Sequence, residues 1–224
     1  MKKTGIIFVV MGAALIIMAL LLILYNQNED AQAGIDAEVM LGDVQNAINE
    51  RIAAAAADKS NSNAGSSDGG EDTVIDSGAA DEATEADSQH EDAAESVVFL
   101  NGYEYIGILS VPSLELQLPV ISDWDYDKLK SAPCREFGSV KTDDLVIAAH
   151  NYRNHFGKLD KLKNGDAVSF TDMDGNITSY TVSSVEKVKA TAVSEVQHSG
   201  HALTLYTCTL DGMARIAAFC DKSE

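Results

Sequence analysis

The sequence predicts a mainly-β domain, a barrel or sandwich with short helices, preceded by an N-terminal transmembrane helix and a disordered acidic linker. Three observations predict it. From residue 97 onward, short runs rich in Val, Ile, Leu, Tyr and Thr are separated by turns containing Gly, Pro and Asp, with few helical patterns between them. Ahead of them lies an uninterrupted apolar run behind two lysines, and between the two stands a stretch with twelve acidic residues and one lysine. The chain has 224 residues and a formal net charge of −19, which suits one modest domain with extensions.

Residues 1–4 are a cytoplasmic stub carrying Lys2 and Lys3, and residues 5–25 are the transmembrane anchor. About 20 apolar residues cross a hydrocarbon core of roughly 30 Å, and the lysines keep the stub inside, so the remainder lies outside. Ala31-Gln32-Ala33 resembles a cleavage site, but the apolar run exceeds the ~7–15 residues of a signal-peptide core. Over 35–57, Ala37, Leu41, Val44, Ile48 and Ile52 recur at steps of three and four, the spacing of a short amphipathic juxtamembrane helix. Its only cation is Arg51, so no basic face attracts anionic lipid and it reads as a spacer, with a docking or membrane-lying segment as the alternative.

Residues 58–96 hold the acidic stretch and almost no aliphatic side chains. Such a composition cannot offset the entropy of ordering. It predicts a tether with an r.m.s. reach of about 35 Å that lifts the domain off the bilayer.

Residues 97–224 carry 17 acids against 12 bases, and no basic patch points to nucleic acid. Strands are expected over 105–112 and 114–121, a short helix over 123–132, and an apolar strand over 144–149 that delivers His150 at its end. Phe156, Leu159 and Leu162 suggest a turn or two of helix over 154–163. A hairpin follows over 167–171 and 177–182, the second strand extended to about 188, and then a linker with Val193 and Val196. Asp172-Met173-Asp174-Gly175-Asn176 begins like a Ca²⁺ loop but lacks the downstream Glu, so it reads as the turn of that hairpin.

The last hairpin, over 202–220, turns at Asp211-Gly212, a strong signal for a two-residue turn with positive φ at both centres. The register then sets Leu210 against Met213, Thr209 against Ala214 and Cys208 against Arg215. Alternation places Thr204, Tyr206, Cys208, Arg215, Ala217 and Phe219 on one face. Leu203, Leu205, Thr207, Ile216, Ala218 and Cys220 form the other, more apolar face. Cys208 therefore points away from the core, beside a guanidinium.

Thr204-Leu205-Tyr206-Thr207-Cys208 resembles the T-L-x-T-C signature of sortases, the cysteine transpeptidases of Gram-positive surfaces. The order of strand, Ile147-Ala148-Ala149-His150-Asn151, Phe156-Gly157, Gly165-Asp166, the Cys strand and Arg215 extends the resemblance over the whole domain. It implies an eight-stranded sortase-like β-barrel with short helices over 97–224, and His150, Cys208 and Arg215 as catalytic residues. It also implies cleavage of an LPxTG-like sorting signal between Thr and Gly, with transfer to an amine of a cell-wall precursor or pilin, at the outer face of the cell membrane. No cofactor is implied, although some sortases use Ca²⁺. One departure is Ala149, where many members have Gly. The short segment 187–199 lacks room for the long inserted helix of class B members, which points to a class D-like or related clostridial type.

The three residue types suit that chemistry. A thiol with a pKa near 8.5 is only about 3 % thiolate at pH 7, and cationic neighbours raise that fraction. Arg215 offers a permanently charged donor to the oxyanion, and His150 can protonate the leaving amine. His155 competes for the acid role from a less suitable position, and His198 and His201 read as exposed loop residues. Cysteines at 134, 208 and 220 lack zinc spacing. With Cys208 as the free thiol, Cys134 and Cys220 are buried thiols or a bridge. A non-catalytic wall-associated β-domain and a cysteine peptidase that uses water alone are the competing readings.

Overall fold

The structure, a computed structural model, describes residues 2–62 and 95–223. One helix, α1 (Lys2–Ser62), precedes nine strands: β1 (Val98–Leu100), β2 (Tyr103–Val111), β3 (Leu116–Ile121), β4 (Cys134–Phe137), β5 (Leu145–Ala148), β6 (Ala167–Asp172), β7 (Ile177–Lys189), β8 (Leu203–Cys208) and β9 (Ala214–Lys222). A five-residue helix, α2 (Val193–Gln197), precedes β8. The strands run in the order β1-β2-β3-β4-β5-β8-β9-β7-β6, and β6 pairs again with β2. Strands β2 to β9 thus close into the eight-stranded barrel expected from the sequence, with β1 added outside β2.

Alternation sorts the barrel into two faces. Leu109, Leu118, Val120, Ile147, Phe170, Val182, Leu205 and Ala218 fill the interior, and Phe156, Leu159 and Leu162 join the same cluster from the β5–β6 connection. A second cluster lies on the outer face and includes Tyr105, Ile108, Ile121, Ala148, Tyr206 and Phe219. Each fully buried aliphatic or aromatic side chain contributes roughly 1.5–3 kcal/mol.

Several local expectations need correction. Residues 123–132 and 154–163 form no α-helix; each contains only a single 3-10 turn, Lys128–Lys130 and Leu159–Lys161. Helix α2 stands where a linker was expected, and β4 where no strand was expected. Its sequence, Cys134-Arg135-Glu136-Phe137, has only Cys134 buried and the next three half-buried, so it shows no apolar alternation.

The larger correction concerns α1. The apolar segment does not end in a separate spacer: α1 continues unbroken past Asn26, and Ala33, Ala37, Val44 and Ile48 are buried on the barrel. Val44 and Ile48 complete the outer cluster around Tyr105 and Ile121, and Ala37 joins Leu116 and Leu118. Polar ties run the length of the contact. Asp30 accepts from the Arg153 amide at 2.6 Å, Asp43 from Asn101 Nδ2 at 2.7 Å, and Asp174 from Arg51 at 2.6 Å. The docked helix therefore fixes the barrel relative to the apolar segment. The expected acidic linker falls, at residues 63–94, outside the described residues.

Strand directions locate the ends of the barrel. β5 and β8 run parallel, with Ala148 beside Tyr206, and β9 returns from Cys208. The C-terminal ends of β5 and β8 thus share one end of the barrel. The β6–β7 turn lies at the other.

Candidate active site

The β8–β9 hairpin presents Cys208 and Arg215 as a directly opposed pair. Its turn differs from the two-residue form. The Gly212 amide donates to the Thr209 carbonyl at 2.8 Å, and Thr209 and Ala214 close the ladder. Only Gly212 has positive φ, at 68°. Asp211 instead caps the turn, accepting from the Thr209 hydroxyl and the Met213 amide. Leu210 and Met213 are consequently not a ladder pair but an exposed tip, 96 % and 77 % exposed. The register below the turn is unaffected.

Arg215 Nη1 donates to Cys208 Sγ at 2.9 Å. The guanidinium carbon also lies 5.4 Å from the centre of the Tyr206 ring, a cation–π distance that limits how the fork can turn. Cys208 is exposed and free. Cys134 and Cys220 are free as well and unbridged, and burial pushes both thiols up to about 12. One cysteine is thus accessible and two are inert.

His150 follows the end of β5, the strand next to β8. Its ring meets Tyr126 edge-on at 5.6 Å and Tyr152 at 4.9 Å between centroids. Burial, with Lys130 nearby, lowers its pKa from the usual value, while Glu29 of α1 opposes that shift. Nε2 is buried and has no hydrogen-bond partner. No hydrogen bond joins His150 to Cys208 or Arg215 among the described residues.

The other histidines lie elsewhere. His155 is fully buried, and burial pulls its pKa down to about 4. His198 packs edge-on to Phe137, and His201 Nδ1 lies 2.8 Å from Asp221. The Asp172 carboxylate accepts from the backbone amides of Asp174 and Asn176, as a hairpin turn does, and no group of ligands that could hold a metal is found among the described residues.

A cleft of about 330 Å³ opens beside Cys208, lined also by Thr207, Leu210, Asn151, Gly157 and Asp160 among others. A second cavity of about 520 Å³ shares Asn151, Gly157 and Leu210 with it and reaches Asn26, Gln27 and Asp30 of α1. Sequence reasoning missed Tyr126 and Tyr152, which come from separate loops and carry no local signal. Tyr206 was legible, since it shares a face with Cys208 and Arg215.

The family model described as Sortase domain matches residues 109–222. No curated protein matches the chain. Among solved structures, sortase C from Clostridium perfringens SM101 is similar at 22% identity over 54% of this chain and 70% of that one, with a TM-score of 0.48. Sortase C of Streptococcus pneumoniae is similar at 23% identity over 54% and 69%, TM-score 0.48. A lid mutant of sortase A from Corynebacterium diphtheriae is similar at 20% identity over 53% and 70%, TM-score 0.46.

Proposed function

Since this chain belongs to the sortase family and is a cysteine transpeptidase of that type, we propose that it cleaves an LPxTG-like sorting signal between Thr and Gly on Cys208. The observation that carries the assignment of residues is the 2.9 Å contact between Arg215 and an exposed, unpaired Cys208 sulfur. The thiolate attacks the Thr carbonyl, and Arg215 holds the tetrahedral oxyanion. Loss of one such donor costs about 2.7–4 kcal/mol in other enzymes. His150, whose lowered pKa favours the neutral imidazole, takes the thiol proton and returns it to the departing glycine amine. An amine of a cell-wall precursor or pilin then attacks the thioester and regenerates the thiol.

In this reading α1 is a single-pass anchor, with Lys2 and Lys3 on the cytoplasmic side and the barrel outside. Its apolar N-terminal part is long enough to cross a membrane. The short α2 before β8 supports the class D-like type, since no long inserted helix precedes the Cys strand.

The test uses the full chain in detergent micelles with a panel of sorting-signal peptides, with and without triglycine. Ligated product in the wild type, and none with Cys208→Ala or His150→Ala, is the expected result. Turnover that survives Cys208→Ala sinks the assignment. Hydrolysis with no ligation at any amine concentration makes the protein a peptidase instead.

A further inference from the structure

The direction of α1 along the barrel fixes which end of the domain faces the bilayer. The apolar run ends at about Tyr25, and the docked part begins within a few residues of it. Asn26, Gln27 and Asp30 line the cavity that shares Leu210 with the Cys208 cleft. Further along, Ile52 lies against Gly175, and Arg51 pairs with Asp174 in the β6–β7 turn, at the opposite end. At 1.5 Å per residue, Asp30 stands about 8 Å above the end of the apolar run, and Arg51 about 32 Å beyond Asp30. Because the helix is continuous and docked at both ends, the barrel cannot turn its other end downward without breaking the contacts of Ala37, Val44 and Ile48.

The end nearest the apolar run carries a surface suited to lipid. Leu210 and Met213 project from the hairpin tip with no protein cover. Arg153, Lys158 and Lys161 line the adjoining cavity, and none of them makes an ion pair among the described residues. Asp160 and Asp211 share the region, so the rim is mixed in charge, but its apolar tip has no cover among the described residues.

We propose that the active-site end of the barrel rests on the outer leaflet of the membrane that α1 crosses, with Leu210 and Met213 entering the headgroup region and Arg153, Lys158 and Lys161 facing lipid phosphates. This rests on the anchoring proposed above, and goes beyond it by orienting the cleft. Cys208 then opens sideways along the membrane surface, and polypeptides that are themselves held in the bilayer reach it without rising into bulk solvent.

Depth-dependent quenching tests the orientation without using activity. The full chain carrying Cys208→Ser, to remove the exposed thiol, is labelled with bimane at Met213→Cys, at Leu210→Cys or at Ile177→Cys. Ile177 is exposed at the start of β7, at the far end. Each protein is placed in phosphatidylcholine–phosphatidylglycerol vesicles containing a headgroup nitroxide lipid. Several-fold stronger quenching at 213 and 210 than at 177 is expected. Equal or absent quenching at all three sites, in protein that floats with the vesicles, overturns the orientation and leaves the anchoring intact. Protein that does not float removes the anchoring and this inference together.

Discussion

Arg215 is held from three directions: by its strand, by the Tyr206 ring beneath it and by the sulfur it contacts. A lysine would keep the charge and lose the planar fork, so Arg215→Lys should lower kcat by about 10²–10³, the loss expected for one oxyanion donor. A burst assay with a fluorogenic sorting peptide measures it. His155 bears on stability instead. Its folded pKa, about 4, lies below the ordinary histidine value, so as pH falls the unfolded chain binds the proton first. Stability is therefore full above about pH 6.5 and declines through about pH 4, by ~3 kcal/mol in total. Denaturant melts at pH 7 and pH 4.5 should show this slope, and His155→Gln should remove that part of it. At this scale the Cys208–Arg215 pairing was legible because strand alternation has a period of two residues. The burial of His155 was not, because it depends on α1 and a loop closing over it.

Strands and turns show where local reading stops. β2 meets both β3 and β6, and the second pairing closes the barrel at Gly107, opposite Asp172. Gly107 has φ 154°, and a Cβ there would stand 2.1 Å from the Thr171 carbonyl oxygen and 2.8 Å from the Phe170 ring. Gly107→Ala should destabilise the barrel by at least ~1–3 kcal/mol from backbone strain alone, read as a lower midpoint in urea. The strands β3 and β8 were legible for the same reason as the hairpin, and β5 as a short continuous apolar run. β4 was not, because Arg135 is held by backbone and side-chain partners instead of apolar packing: its Nε donates to the Ser122 carbonyl and its Nη1 to Glu95, both at 2.7 Å. The final turn was misread in type because Asp211 serves as a side-chain cap, which a dipeptide signal does not distinguish.

Across the whole molecule, α1 is both the apolar segment and a structural layer of the barrel. The spacing of Ala37, Val44 and Ile48 was visible, but its target was not, since Tyr105, Ile108 and Ile121 form an outer apolar face only after the barrel closes. A chain beginning at residue 97 would leave that face open to water. It should melt several degrees lower than a chain beginning at residue 26 and bind more of a hydrophobic dye, as scanning calorimetry and dye titration would show. Equal melting temperatures would mean that the helix contributes nothing to the barrel.

The carboxylate of Asp174 accepts both from Arg51, near the end of the docked helix, and from the Ser96 hydroxyl, where the described chain resumes. The acidic insertion thus departs and returns through one clasp on the side of the domain remote from the sulfur. An insertion held at one clasp on that side leaves the register of the docked helix on the barrel, and so the setting of Cys208 relative to the apolar segment, to the contacts of Ala37, Val44 and Ile48.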